Sequence, residues 1–155
     1  MNTYLQQLGK QIGISVVDTT ADISSILGNP KIIIPERVIV ECNNISVSVS
    51  LDEIGEQDRI VDVVIDHSVQ EIIHQSSTVV WNGPLGWYEK GYMQSTIDIV
   101  ANLGSNTQSI VGGGDTVTVI RKEHLENKIS FLSTGGGAML EYLQNGTLVG
   151  ITALN

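Results

Sequence analysis

IVGGGDTVTVIRK (residues 110–122) and SFLSTGGGAMLEYLQ (residues 130–144) are built alike. In each, an apolar run ends in three glycines and a helical pattern begins at once. VVWNGPLG (residues 79–86) repeats the design ahead of a helix expected over 92–103, where Met93, Ile97, Ile99, Val100 and Leu103 keep helical spacing. Strand, glycine loop and helix in succession are the rhythm of an α/β layered domain with a largely parallel sheet. Further helices are expected over 68–75, 115–122 and 138–144, and strands over 60–65, 78–81, 109–111 and 128–132. Nearer the start, residues 3–8 read as a short helix stopped by Gly9. Residues 21–27 read as another, with Thr20 as N-cap and Gly28-Asn29-Pro30 as the stop. KIIIPERVIV (31–40) reads as a strand bent at Pro35, and ISVSVSL (45–51) alternates with the period of a half-buried strand. No repeat, charge block or linker interrupts the pattern, so one domain is expected over 1–155.

Of the 155 residues, 41% are hydrophobic and 16% charged. That balance excludes a disordered chain. Acidic residues number 17 against 8 basic, a net charge of −9, which argues against nucleic acid or an anionic membrane surface as partner. No apolar run approaches the roughly 20 residues of a membrane-spanning helix. The opening MNTYLQQLGK lacks the layout of a secretory signal. Cys42 is the only cysteine, so no internal disulfide forms and a reducing, cytoplasmic location is expected.

Glycine-rich turns at the carboxyl ends of parallel strands have two readings. Glycine lets strand and helix pack closely. It also lets backbone approach a ligand, beside helix N-termini whose free N–H groups suit anionic oxygens. Several such loops on one rim favour an anion or nucleotide site. Neither GxxxxGK[ST] nor GxGxxG is present, and the loops are nearly free of lysine and arginine. A phosphate there would be held by backbone and helix dipoles, or by a metal on Asp115.

VVWNGPLGWYE (79–89) resembles VVWNGPMGVFE of the phosphoglycerate kinase family, IVGGGDTVT (110–118) resembles IIGGGDTAT, and KISFLSTGGGAMLEYL (128–143) resembles KISHVSTGGGASLELL. The three blocks keep family order and nearly family spacing. KIIIPERVIV, LDEI (51–54) and NTYLQQLG followed by IGISVVD match more weakly. Almost the whole chain can be laid on the family's carboxyl-terminal, nucleotide-binding domain, an incomplete, doubly wound, Rossmann-like three-layer α/β fold. The resemblance implies MgATP or MgADP as ligand. It places Gly83, Leu85 and the aromatic Tyr88 beside the nucleotide, and Glu89 on the ribose hydroxyls. Gly113, Gly114, Asp115 and Thr116 stand at the phosphates, with Asp115 toward magnesium. Gly135, Gly136 and Gly137 form the loop that faces the phosphoryl group passing between 1,3-bisphosphoglycerate and ADP.

The chain departs from the family in places. Val64 stands at the glycine of DIGPKT and Asn43 at the lysine of VADK. The match begins near the family's GGGM turn, so the GGAKVSDK segment and the 3-phosphoglycerate domain are expected to be missing, and with them the first two strands of the parent sheet. An exposed apolar strand edge would then invite self-association or a complementary phosphoglycerate kinase segment. The functions in competition are a truncated and inactive kinase half, a non-catalytic interaction module or degenerate paralogue, and a minimal nucleotide-binding protein with other chemistry. Elsewhere, His67, Glu71 and His74 share a helix face at metal-ligand spacing, where a solvated face is the preferred reading. Nothing near Cys42 in sequence would activate its thiol.

Overall fold

A computed structural model describes residues 1–154. It is an incomplete Rossmann-like α/β fold of parallel and antiparallel sheets with flanking helices. The chain divides into two compact units, Met1–Asp66 and His67–Asn155.

The first unit carries helix α1 (Asn2–Gln7) and strands β1 (Arg37–Cys42), β2 (Ile45–Ser50) and β3 (Arg59–Val63). They form an antiparallel sheet of order β2-β1-β3. Asn43 and Asn44 join β1 to β2 at φ 51° and 62°, the left-handed pair that a type I′ hairpin turn requires. Asn43, read above against a family lysine, is here a turn residue. Leu5, Ile12, Val38, Val40, Leu51, Ile54 and Ile60 make the core. The 12–15 segment is locked onto this sheet. Gly13 has φ 56° and leaves no room for a Cβ against the Asp58 carbonyl oxygen. The Ile14 N–H donates to that oxygen at 2.8 Å, and the Ser15 hydroxyl accepts the Ile60 N–H at 2.8 Å.

Three local expectations fail here, each for a physical reason. Residues 21–27 form no helix. The segment makes a single turn, the Ile26 and Leu27 N–H groups donating to the Ile23 carbonyl at 3.0 and 3.1 Å, and Gly28 at φ 73° ends it. The strand expected over 31–40 begins only at Arg37, past Pro35. Strand β2 forms as expected, but it is an edge strand whose first four residues are exposed, Ile45 by 67%.

The second unit is the α/β repeat. Helices α2 (His67–Gln75), α3 (Gln94–Ala101), α4 (Gly114–Lys122), α5 (Gly136–Asn145) and α6 (Val149–Thr152) accompany strands β4 (Thr78–Asn82), β5 (Gln108–Gly112) and β6 (Phe131–Ser133). The strands run parallel in the order β4-β5-β6, with Trp81 opposite Val111 and Val111 opposite Leu132. That face meets α3 and α4 in a core of Trp81, Val100, Val111 and Ile120. The other face carries Val80, Ile110 and Phe131 in register. It is poorly covered: Val80 is 45% and Phe131 60% exposed. Parallel sheets are normally covered on both faces. Among the described residues, β4 also pairs with no strand but β5.

An open parallel edge beside apolar, β-branched side chains favours association with another strand. The net charge of −9 opposes it only as a screened repulsion. The purified chain is therefore expected to gain mass in light scattering as its concentration rises. A constant monomer mass would show that the edge and the Val80–Phe131 face are tolerated in water.

Candidate functional site

Register places Asn82, Gly112 and Ser133 side by side at the carboxyl ends of the three parallel strands. All three glycine loops therefore leave the sheet on one rim. The Asn82 amide donates to the Gly136 carbonyl at 3.0 Å, and the Gly113 N–H donates to the Ser133 carbonyl at 3.1 Å. The Gly83 N–H donates to the buried Thr116 hydroxyl at 2.9 Å. Behind the rim, the Trp81 indole donates to the Gly83 carbonyl at 2.7 Å. The buried Thr96 hydroxyl accepts the Leu85 N–H and donates to the Leu85 carbonyl, at 3.1 and 3.0 Å.

The glycines separate by what surrounds them. A Cβ on Gly136 would stand 2.6 Å from Gly113 N and 2.7 Å from Gly113 Cα. One on Gly112 would stand 2.6 Å from Met139 Cε. Gly113 has φ 99° and would meet Asn82 Oδ1 at 2.8 Å, and Gly83 also has φ 99°. Gly136, Gly113 and Gly83 are required by packing or by backbone conformation, whereas the first clash at Gly112 is with the flexible end of Met139. Gly114 and Gly137 are different: a Cβ on either would touch nothing within 4 Å, and neither has positive φ. They occupy the first turns of α4 and α5, whose N-termini carry no side-chain cap. Gly135 is nearly as open, its nearest Cβ contact being Ser133 Oγ at 3.6 Å. The Ser133 hydroxyl accepts the Gly135 N–H at 3.2 Å and shapes that turn.

One acidic residue, Asp115, stands on the rim, and a second, Glu89, on the turn that Tyr88 ties to it. Asp115 is exposed in the first turn of α4, and its Oδ1 accepts the Tyr88 hydroxyl at 3.0 Å. Tyr88 opens a 3-10 turn, Tyr88–Lys90, which also carries the exposed Glu89. The Tyr88 phenol is held above its ordinary pKa, first by the hydrogen bond to Asp115, then by burial and by the charges of Asp115 and Glu89. Lys90 Nζ lies 5.6 Å from the centre of the Trp87 ring.

Of the residues selected from sequence, those of the glycine loops, Thr116 and Asp115 lie along one rim, with ties between Gly83 and Thr116, Tyr88 and Asp115, and Gly113 and Gly136, and Glu89 follows Tyr88 on the adjoining turn. Sequence reasoning missed Asn82, Thr96 and Ser133 as the side chains that set loop shape. Their only signal was position, next to the glycine motifs or at the start of a helix. Among the described residues, no group of three or more His, Cys, Asp or Glu side chains could hold a metal. His67 and Glu71 make only an exposed pair at 3.5 Å. A lone carboxylate on an open rim still fits magnesium, which commonly takes one or two protein carboxylates and completes its shell with phosphate and water. A separate depression, lined by Leu103, Gly104, Thr107, Lys128 and Ser130, lies at the opposite, amino ends of β5 and β6.

A parallel α/β sheet with a glycine-lined rim of uncapped helix ends defines a class: Rossmann-like proteins that meet ligands at the carboxyl ends of their strands. Residues 1–146 match the family model described as phosphoglycerate kinase, and the chain belongs to that family. It is 34% identical to the phosphoglycerate kinase of Psychrobacter cryohalolentis over 99% of this chain and 43% of that one. Against the enzyme of Herpetosiphon aurantiacus the identity is 33%, again over 99% and 43%. The solved phosphoglycerate kinase of Coxiella burnetii superposes with a TM-score of 0.85 at 31% identity, over 99% of this chain and 44% of its own. That of Pyrococcus horikoshii does so with a TM-score of 0.63 at 25% identity over 77% of this chain. The chain spans less than half the length of these relatives.

The two kinds of glycine should respond differently to a methyl group. Gly136→Ala is expected to lower stability by about 2 kcal/mol, because both clashing atoms are backbone. In a domain of this size that lowers the melting temperature by about 4–8 °C. Gly137→Ala is expected to leave it unchanged or slightly raised, since alanine suits a helix better. Equal melting curves for the two variants would contradict the packing described.

Proposed function

We propose that this rim is the nucleotide-binding half of a phosphoglycerate kinase-type phosphotransferase, with MgATP or MgADP as ligand. Gly114 and Gly137 carry the reading. They are free of packing and conformational demands, yet both sit at uncapped helix N-termini on one rim. Glycine there keeps backbone N–H groups open to anionic oxygens.

In this reading Gly113, Gly114, Asp115 and Thr116 meet the phosphates, and Gly83, Leu85 and Tyr88 flank the nucleotide. The Glu89 carboxylate accepts the ribose hydroxyls. Gly135, Gly136 and Gly137 face the transferred phosphoryl group, where the fixed dipole of α5 stabilises charge as it develops. Magnesium would be held by Asp115 and would neutralise phosphate charge. The uncovered face of the parallel sheet supports a second partner, either another copy of the chain or a complementary phosphoglycerate kinase segment. With Cys42 as a free thiol, the cytoplasm is the proposed location.

Titration calorimetry with ADP tests the site. Glu89→Ala is expected to weaken ADP by about tenfold or more, with or without magnesium, through the loss of hydrogen bonds to a charged group. Asp115→Ala is expected to weaken MgADP more than metal-free ADP. Identical affinities for wild type and both variants would place the nucleotide elsewhere.

The 155-residue chain by itself is expected to show no phosphoglycerate kinase turnover. Phosphoryl transfer rests on positioning and charge stabilisation, and the glycine loops contribute no lysine or arginine. Consumption of 3-phosphoglycerate and ATP above a mock purification would overturn this.

A further inference from the structure

Asp115 is exposed, and the only hydrogen bond its carboxylate makes among the described residues is the one it accepts from Tyr88, at 3.0 Å across 27 residues of sequence. No described cation forms an ion pair with it. Tyr88 is better anchored. It starts the 3-10 turn, the Gly91 N–H donates to its carbonyl at 2.9 Å, and the Lys90 and Tyr92 N–H groups close on the Trp87 carbonyl at 3.0 and 3.2 Å. The segment before it is pinned by Trp81 through Gly83 and by Thr96 through Leu85. Restraint therefore passes from a fixed loop, through one phenolic hydroxyl, to an otherwise unrestrained carboxylate. In the family signature quoted above, the aligned residue is phenylalanine, which has no hydroxyl to donate.

Resting on the assignment of magnesium to Asp115, we propose that Tyr88 is a positioning residue: its hydroxyl orients the Asp115 carboxylate for the metal of the metal–nucleotide complex. One donated hydrogen bond at Oδ1 leaves Oδ2 and a further lone pair for coordination. Magnesium demands near-octahedral geometry, so an oriented carboxylate binds it better than a freely rotating one. Hydrogen-bond partners behind a metal ligand typically contribute 10- to 100-fold in metal affinity. Because Glu89 is the next residue on the same turn, the loop also ties the proposed ribose contact to the proposed metal contact.

The test is calorimetric titration of the full chain with ADP, once with magnesium and once with a chelator, for wild type, Tyr88→Phe, Asp115→Asn and the double variant. Phenylalanine keeps the ring, and thermal melting verifies that the fold is kept. Tyr88→Phe is expected to lose about tenfold in affinity for MgADP and clearly less for metal-free ADP. The double variant is expected to match Asp115→Asn alone, because the hydroxyl acts only through that carboxylate. If Asp115→Asn loses the magnesium dependence while Tyr88→Phe retains it, the metal site stands and the role of Tyr88 falls. A wild type without magnesium-dependent binding, or an Asp115→Asn variant that keeps it, overturns the site assignment and this proposal with it. Equal weakening of metal-free ADP by Tyr88→Phe would make Tyr88 a general loop support and overturn its role toward the metal.

Discussion

The rim hangs on one close approach: the backbone of Gly136 lies against the backbone of Gly113, within reach of the Asn82 amide. A methyl group does not fit there. Gly113 in turn takes its N–H bond to Ser133 and stands at φ 99°. The contact brings the first turns of α4 and α5 together over the same strand ends. Neither helix is capped by a side chain, so their N–H groups stay open to whatever occupies the rim. Adding one carbon at Gly136 would push the two helix ends apart and undo that convergence.

Charge on the rim is arranged without basic side chains in the glycine loops. The positive partners are helix ends, worth roughly half an elementary charge each, while the Tyr88 hydroxyl donates its hydrogen bond to Asp115. Two carboxylates, Asp115 and Glu89, sit at its edge in a chain of net charge −9. In the proposed nucleotide reading, carboxylates at the rim favour a polyphosphate that brings its own cation over a bare one.

The rest of the second unit serves the rim unevenly. One face of the parallel sheet is closed by α3 and α4, with Val100, Val111 and Ile120 essentially inaccessible. The opposite face leaves Val80 and Phe131 in water. The loops are fixed from the closed side, through Thr96 and Thr116, both fully buried hydroxyls. The first unit solves a different problem, pairing three antiparallel strands about the Asn43-Asn44 turn and docking the Gly13 segment where no side chain fits.

Much of the second unit was legible in the residues themselves. Apolar periodicity and glycine stops located α2, β4, α3, β5 and α4 to within about two residues because both are local properties of the chain. The quoted motifs placed the chain in its family. In the first unit, the same reading expected a helix over 21–27, where only a single turn formed before Gly28. It also took residues 45–51 for a half-buried strand, where β2 became a mostly exposed edge. No periodicity distinguishes Gly136, which packing demands, from Gly137, which it does not. Nor does any spacing announce that Tyr88 meets Asp115 or that Asn82 reaches Gly136, pairs 27 and 54 residues apart. Those outcomes depend on the register of three parallel strands, which aligns loops that are remote along the chain. The sequence by itself determined the order of elements from α2 to α5 and the family, because local spacing and motifs encode both. Only the tertiary structure decided which glycines are packed and which are open, because that depends on the distance between backbones brought together by folding.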